Sequence, residues 1–253
     1  MKKDIQIDAL RDVLVRSGLV FRATVRKLES SSLTSLLGNP RTAVCHVDEV
    51  IHGPPQLGDL TGQDITLERL EARPLKVGQR AVFFASGWLY GETIAVKEVE
   101  RVEDADMGLL RKRVSEALRL NADSALKDRL AKAELVISGR VSKVTRAAER
   151  AFGGPSSFHD PDWWVAKAEV DSVEKGRITD KSLSILFPAS GDTFWVRSPK
   201  FREGQEGVWI LRKDQQEKGR PSHRVPGLTA LDPLDFHSKD ELERIRKLTK
   251  SGR

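Results

Sequence analysis

At 253 residues the chain is long enough for two ordinary domains, and a hydrophobic content of 39% supplies packed cores. Charged residues make up 32% of it with both signs well mixed, so the net charge of +6 permits nucleic-acid or membrane-surface binding without requiring either. A single cysteine, Cys45, excludes an intramolecular disulfide framework, and no apolar run is long enough to span a bilayer.

The start, Met1-Lys2-Lys3, looks like the basic end of a secretory leader, but Asp4, Asp8, Arg11 and Asp12 interrupt the apolar stretch that a leader needs next. The compartment stays open between a cytoplasmic protein and an extracytoplasmic one whose leader was removed. Residues 4 to 17 place Ile5, Leu10, Val13 and Leu14 near helical spacing, which predicts an amphipathic helix stopped at Gly18. The period then falls to two. Leu19, Phe21, Ala23 and Val25 alternate with Val20, Arg22, Thr24 and Arg26, the pattern of a half-buried strand.

After a loop rich in Ser, Gly, Asn and Pro, a second strand is expected from Thr42 to Ile51, with Ala43, Cys45 and Val47 on one face. Gly53-Pro54-Pro55 ends it, because proline cannot donate to a ladder. Ile65 to Leu70 reads as a short third strand, and Gly78-Gln79 as the turn into a fourth, Ala81 to Ala85. That fourth strand is apolar on both faces, so a barrel core should take one and a helix the other. Thr93 to Val102 can close the sheet.

A second pass then begins. Ala105 to Lys132 reads as helical, with a break expected at Asn121-Ala122-Asp123, where Asn or Asp can cap a new helix. Ala125 to Val136 aligns without a gap on Ala9 to Val20, and the constant offset continues until Val141 falls on Val25. We read this as an internal duplication. Trp164 to Gly176 parallels Thr42 to Gly53, Leu183 to Phe187 corresponds to Ile65 onward, and Gly204 to Leu211 repeats Gly78 to Ala85. The second copy adds a longer loop, Ala147 to Trp164, and a segment Gly191 to Arg197 that suggests part of a hairpin. Ser238 and Glu241 have the spacing of a capping box for a last helix with Leu242, Ile245 and Leu248 as its buried stripe.

The predicted fold is therefore mainly β with flanking helices (α+β): two tandem OB-like five-stranded β-barrels, each preceded by an amphipathic helix. Closure removes open strand edges; an open sandwich is the second choice. The expected division is residues 1–104 for the first helix and barrel, and 105–253 for a helical linker, the second barrel and the C-terminal helix. Ala133 to Val141, Glu169 to Gly176 and Glu203 to Leu211 resemble bacterial members of the netrin-like or TIMP-like OB-fold group. Val47 to Gly53 and Val77 to Arg80 carry the same resemblance more weakly. Inhibitors in that group reach a protease metal through an N-terminal cysteine, which is lacking here. The resemblance implies a barrel used for binding, often outside the cytoplasm, and not protease inhibition.

Candidate chemistry is sparse. His159-Asp160-Pro161-Asp162 and the set Asp232, Asp235 and His237 hold metal-ligating residue types, yet each also spells a turn, so no catalytic or metal residue is assigned. Cys45 reads as a buried filler. Glycines 53, 78, 176 and 204 fall at repeated strand ends and make no phosphate-binding pattern, so no cofactor is expected. The informative group is aromatic and basic: Trp163, Phe194, Trp195, Arg197, Lys200 and Arg202, in or beside segments that the first copy lacks. Trp and Arg anchor protein interfaces, so a non-enzymatic protein-binding or assembly module, recognising its partner through Ala147 to Trp164 and Ala189 to Phe201, is the leading expectation. Aromatics beside cations also suit single-stranded nucleic acid, the first alternative; a metal-dependent hydrolase is the second.

Overall fold

The computed structural model describes residues 6–147, 162–213 and 227–251. Ile5, the start Met1-Lys2-Lys3, and Phe152 to Pro161 of the long loop lie outside them. The chain divides into two compact units, Met1–Ala122 and Asp123–Arg253.

In the first unit, helix α1 (Ile7–Arg16) leads into β1 (Leu19–Leu28), β2 (Thr42–His52), β3 (Asp64–Glu68), β4 (Arg80–Tyr90) and β5 (Ile94–Val102). These five strands form a closed barrel in the order β1-β2-β3-β5-β4, with the β3–β5 seam parallel and the other pairings antiparallel. Alternation decides what each strand puts inside. Leu19, Phe21, Ala23 and Val25 of β1 meet Ala43, Cys45 and Val47 of β2 and Ala81, Phe83 and Ala85 of β4 in the barrel core. The other face of the doubly apolar β4 is covered as expected: Val82 and Phe84 pack against Leu10 and Leu14 of α1 and Leu110, Val114 and Ala117 of helix α2 (Met107–Lys132).

The second unit contains β6 (Leu135–Arg146), β7 (Trp163–Lys175), β8 (Ser182–Pro188), β9 (Glu206–Lys213), β10 (Leu228–Thr229), β11 (Phe236–His237) and helix α3 (Leu242–Lys250). β10 pairs parallel with β8 and antiparallel with β9, which closes five strands into a second barrel. β11 pairs further along the same edge of β9. Inside lie Leu135, Ile137, Val141, Ala166, Ala168, Trp209 and Leu211. Outside, Val208 and Ile210 are covered by Leu126 and Leu130 of α2 and Ile245 of α3, with Leu242 and Leu248 partly buried beside them.

The duplication is visible at single-residue resolution. The β1–β2 ladder is irregular at Val20/Phe21, Arg22/Ala23 and Val25/Lys27; the β6–β7 ladder at Val136/Ile137, Ser138/Gly139 and Val141/Lys143, the same three places one repeat on. Cys45 stands opposite Val25 as Ala168 stands opposite Val141. The turns agree equally well. Gly78 N–H donates to the Val25 carbonyl and Val25 N–H to that of Gln79 (2.8 and 2.9 Å); Gly204, Val141 and Gln205 repeat both bonds at the same lengths. Both glycines take a left-handed φ, 80° and 81°, which a side chain would strain.

Three local expectations are corrected. α2 does not break at Asn121-Ala122-Asp123 but runs unbroken from Met107 to Lys132. Its Asn121 side chain is engaged by Arg11, donating to the Arg11 carbonyl and accepting from Nε (both 3.0 Å), and Asp123 pairs with Arg244, so neither side chain turns back to cap. Ser238 makes no side-chain cap bond, and Glu241 pairs with Arg244 instead. The reciprocal capping box lies earlier, at Asp232 and Asp235. Residues 191–197 form consecutive turns, not a hairpin, because backbone N–H groups there return to Asp192 instead of to a partner strand.

Candidate functional site

The β8–β9 loop of the second unit is built around Asp192. Its Oδ1 accepts from Phe194 N–H (2.9 Å), and its carbonyl accepts from the N–H groups of Trp195 and Val196 (2.8 and 2.7 Å). This tight turn drives Trp195 inward, to 4% exposure, where it meets Trp163 edge-on at 5.7 Å between ring centres. Leu186 and Leu231 complete that cluster. Ser198 then ties the loop down by donating to the Leu231 carbonyl (2.6 Å). Phe201 enters the barrel among Phe187, Trp209 and Phe236, at 4.9, 6.1 and 5.5 Å.

The six aromatic and basic residues therefore separate into a base and a surface. Trp163 and Trp195 form the base. Phe194 is 39% exposed and Val196, which the sequence did not single out, is 58% exposed. Arg197, Lys200 and Arg202 are also exposed. Lys200 reaches back to donate to the Trp195 carbonyl (2.8 Å), and partial burial pulls its ammonium below the usual lysine value. Arg202 N–H is held by the Gln205 side chain (3.1 Å), the bond that Lys76 N–H makes to Gln79 (2.9 Å) in the first copy. Arg202 thus stands on the repeated turn.

Of the other candidate sets, His159-Asp160-Pro161 lies outside the described residues, while Asp232, Asp235 and His237 resolve into structure. Asp235 is fully buried and held by the Arg129 guanidinium at 2.5 and 2.7 Å and by the N–H groups of Leu231 and Asp232. His237 is bonded to the Leu234 carbonyl, and burial lowers its pKa. Cys45 is fully buried, and desolvation, then the charge of Glu98, push its thiol up to about 12, far from a reactive thiolate. Among the described residues no three His, Cys, Asp or Glu side chains are grouped to hold a metal ion, and no helix is long and apolar enough to cross a membrane.

A feature absent from the sequence reading lies in the first unit. A cavity of about 680 Å³ opens between α1, residues 72–74 and the end of β5. Ala9, Val13, Ala72, Pro74 and Val102 give it apolar walls; Gln6, Arg73, Glu100, Arg101 and Glu103 add polar ones. Behind it, Glu98 and Arg101 are buried at one end of the barrel, their side chains 0% and 4% exposed. Burial raises the pKa of Glu98, against the Leu70 N–H that it accepts and the nearby Arg101 and Arg73 charges. One signal was available: Glu98 continues the inward series Ile94, Val96, where an apolar residue is expected.

No family model matches this chain, and no curated protein matches it.

Proposed function

We propose that the chain is a non-enzymatic protein-binding or assembly module built on two OB-like barrels, with recognition through the β8–β9 loop of the second. The supporting observation is the run Phe194-Trp195-Val196-Arg197, in which a buried tryptophan fixes the backbone while its neighbours stand exposed. A loop ordered in advance loses little entropy on binding, and apolar side chains beside arginine are the composition of an interface centre. Arg197, Lys200 and Arg202 suit a partner with carboxylates around an apolar contact. Trp163 and Trp195 pack on each other, which favours a protein partner over bases that would need open ring faces. The netrin-like, TIMP-like resemblance supports the same broad class, a barrel used for binding.

The test replaces Phe194 and Val196 by Ser and Arg197 by Glu, leaving Trp195 in place. Side-by-side affinity capture from an extract of the source cells, read by quantitative mass spectrometry, should lose a partner selectively in the variant. Its thermal melt should match the parent's. Equal recovery of every captured protein by both forms would remove this loop from the binding surface.

A further inference from the structure

A patch of sheet that the first barrel hides is open in the second. On β2, Val44 lies opposite Lys27 of β1 on one side and Thr66 of β3 on the other, and both Val44 and Thr66 are buried. The chain after β1 closes over them: the Ser31 and Ser32 hydroxyls and Ser32 N–H bond Thr66 Oγ1 at 3.0, 3.0 and 2.8 Å. The matched places in the second barrel are Lys143 on β6, Lys167 on β7 and Ser184 on β8, paired in the same register and all exposed. Lys143 and Lys167 thus face each other directly. Like charges so placed weaken a sheet, and among the described residues neither ammonium has a hydrogen bond or ion pair to offset the cost. Arg140 precedes them on β6, and Arg202 opens the turn whose Gly204 N–H bonds the Val141 carbonyl; both are exposed and equally unpaired. The neighbouring carboxylates are mostly engaged. Lys239 bridges Asp171 and Glu206 (both 3.2 Å), Glu203 accepts from Val144 N–H (3.1 Å), and Glu169 faces Arg140 across the strands. Arg140, Lys143, Lys167 and Arg202 outnumber Glu169 and Glu203, so the strip is positive.

We infer that this strip takes an acidic, extended segment of a protein partner, laid across β6, β7 and β8 with its carboxylates on Lys143 and Lys167. The inference rests on the protein-binding reading and lengthens that surface. Trp163, Val165 and Lys167 alternate outward on β7, so the cations begin where the apolar cluster that seats the Phe194 loop ends. Carboxylates two residues apart on an extended chain are about 7 Å apart, within reach of two flexible lysine stems rooted about 5 Å apart on paired strands. The strip is narrow. Glu169 stands two residues beyond Lys167 and Glu203 lies in the adjoining turn, so a single chain can avoid carboxylates that a flat anionic lipid surface would meet. Trp163 and Trp195, the large rings beside the strip, are buried against each other and closed to nucleic-acid bases.

The probe is a synthetic peptide of alternating glutamate and serine, added to the full chain at low salt and followed by amide chemical shifts. The controls are the same peptide with glutamine for glutamate, oligothymidylate, and co-sedimentation with vesicles of equal parts phosphatidylserine and phosphatidylcholine. The glutamate peptide should shift Lys143, Lys167 and Ser184 saturably, and about 0.15 M salt should weaken it. Lys167→Val installs the residue of the matched place, Val44, and relieves the like-charge pair, so it should melt no lower than the parent. Combined with Lys143→Gln it should weaken the peptide about tenfold, the loss of two exposed ion pairs. No saturable response to the glutamate peptide, an equal response to the glutamine peptide, or undiminished affinity in the double variant would each overturn the assignment. So would tighter binding of oligothymidylate at these residues, or vesicle binding that the double variant loses. The readout is local to Lys143 and Lys167, so the strip can fail while the Phe194 loop still holds a partner, and the reverse.

Discussion

Glu98 shows how one inward residue changes what a barrel strand does. Because burial raises its pKa, the folded protein holds that proton more tightly than the unfolded chain. Between the ordinary value of 4.5 and the raised one, rising pH therefore costs stability. Glu98→Gln removes this loss. The stability of the variant relative to the parent should climb through that window and level off above it, measured by urea unfolding at a series of pH values; parallel curves would refute it. Half of this pair was legible in the sequence. Glu98 comes after Ile94 and Val96 on the inward face, but strict alternation sends Glu100 inward next. The structure sends Arg101 inward, opposite Phe83, because β5 slips register against β4 after Glu98. A bulge of that kind leaves no mark in hydrophobic periodicity.

At the scale of elements, the long alternating strands were readable and the short seam of the second barrel was not. β10 and β11 have two residues each, too few for any period, and the stretch between them carries the capping box of Asp232 and Asp235. What holds the seam is a side chain. Asp235 joins Arg129 of α2 to the N–H groups of Leu231 and Asp232, so one carboxylate ties the helix to the interrupted closing strand. Asp235→Ala takes from the buried Arg129 guanidinium the carboxylate that holds it at 2.5 and 2.7 Å, and should cost about 3–5 kcal/mol. Amide exchange should accelerate first along Arg212 and Lys213 of β9, which face β10. A loss below about 1 kcal/mol, the size of an exposed ion pair, would show that the seam is held by packing instead. α2 misled the sequence reading for a related reason: Asn121 and Asp123 have capping chemistry but spend it on Arg11 and Arg244.

For the whole molecule, the offset between the copies carried more information than any single motif, since it placed the first strand and its three irregularities in both barrels. It also makes a prediction about interchangeability. Lys76-Val77-Gly78-Gln79 and Arg202-Glu203-Gly204-Gln205 share their backbone bonds and the Gln bond to the first residue, and differ in exposed side-chain bonds such as the one the Glu203 carboxylate accepts from Val144 N–H, so exchanging the two tetrapeptides should change stability by no more than about 1 kcal/mol. A larger change, read by calorimetry, would mean that the likeness stops at the backbone. The surface around Phe194 and the cavity beside Arg101 have no such duplicate, and this is why comparing the copies revealed the scaffold better than either feature.

The matched positions Arg101 and Phe236 make that asymmetry concrete. Each lies opposite a residue of the repeated strand that follows the Gly-Gln turn, Phe83 in one barrel and Trp209 in the other. In the first barrel the place holds a buried guanidinium beside Glu98; in the second it is filled by interlocking rings. One backbone plan thus tolerates opposite contents at a single matched point, so what the closed barrel demands there is the strand and not the side chain that it carries.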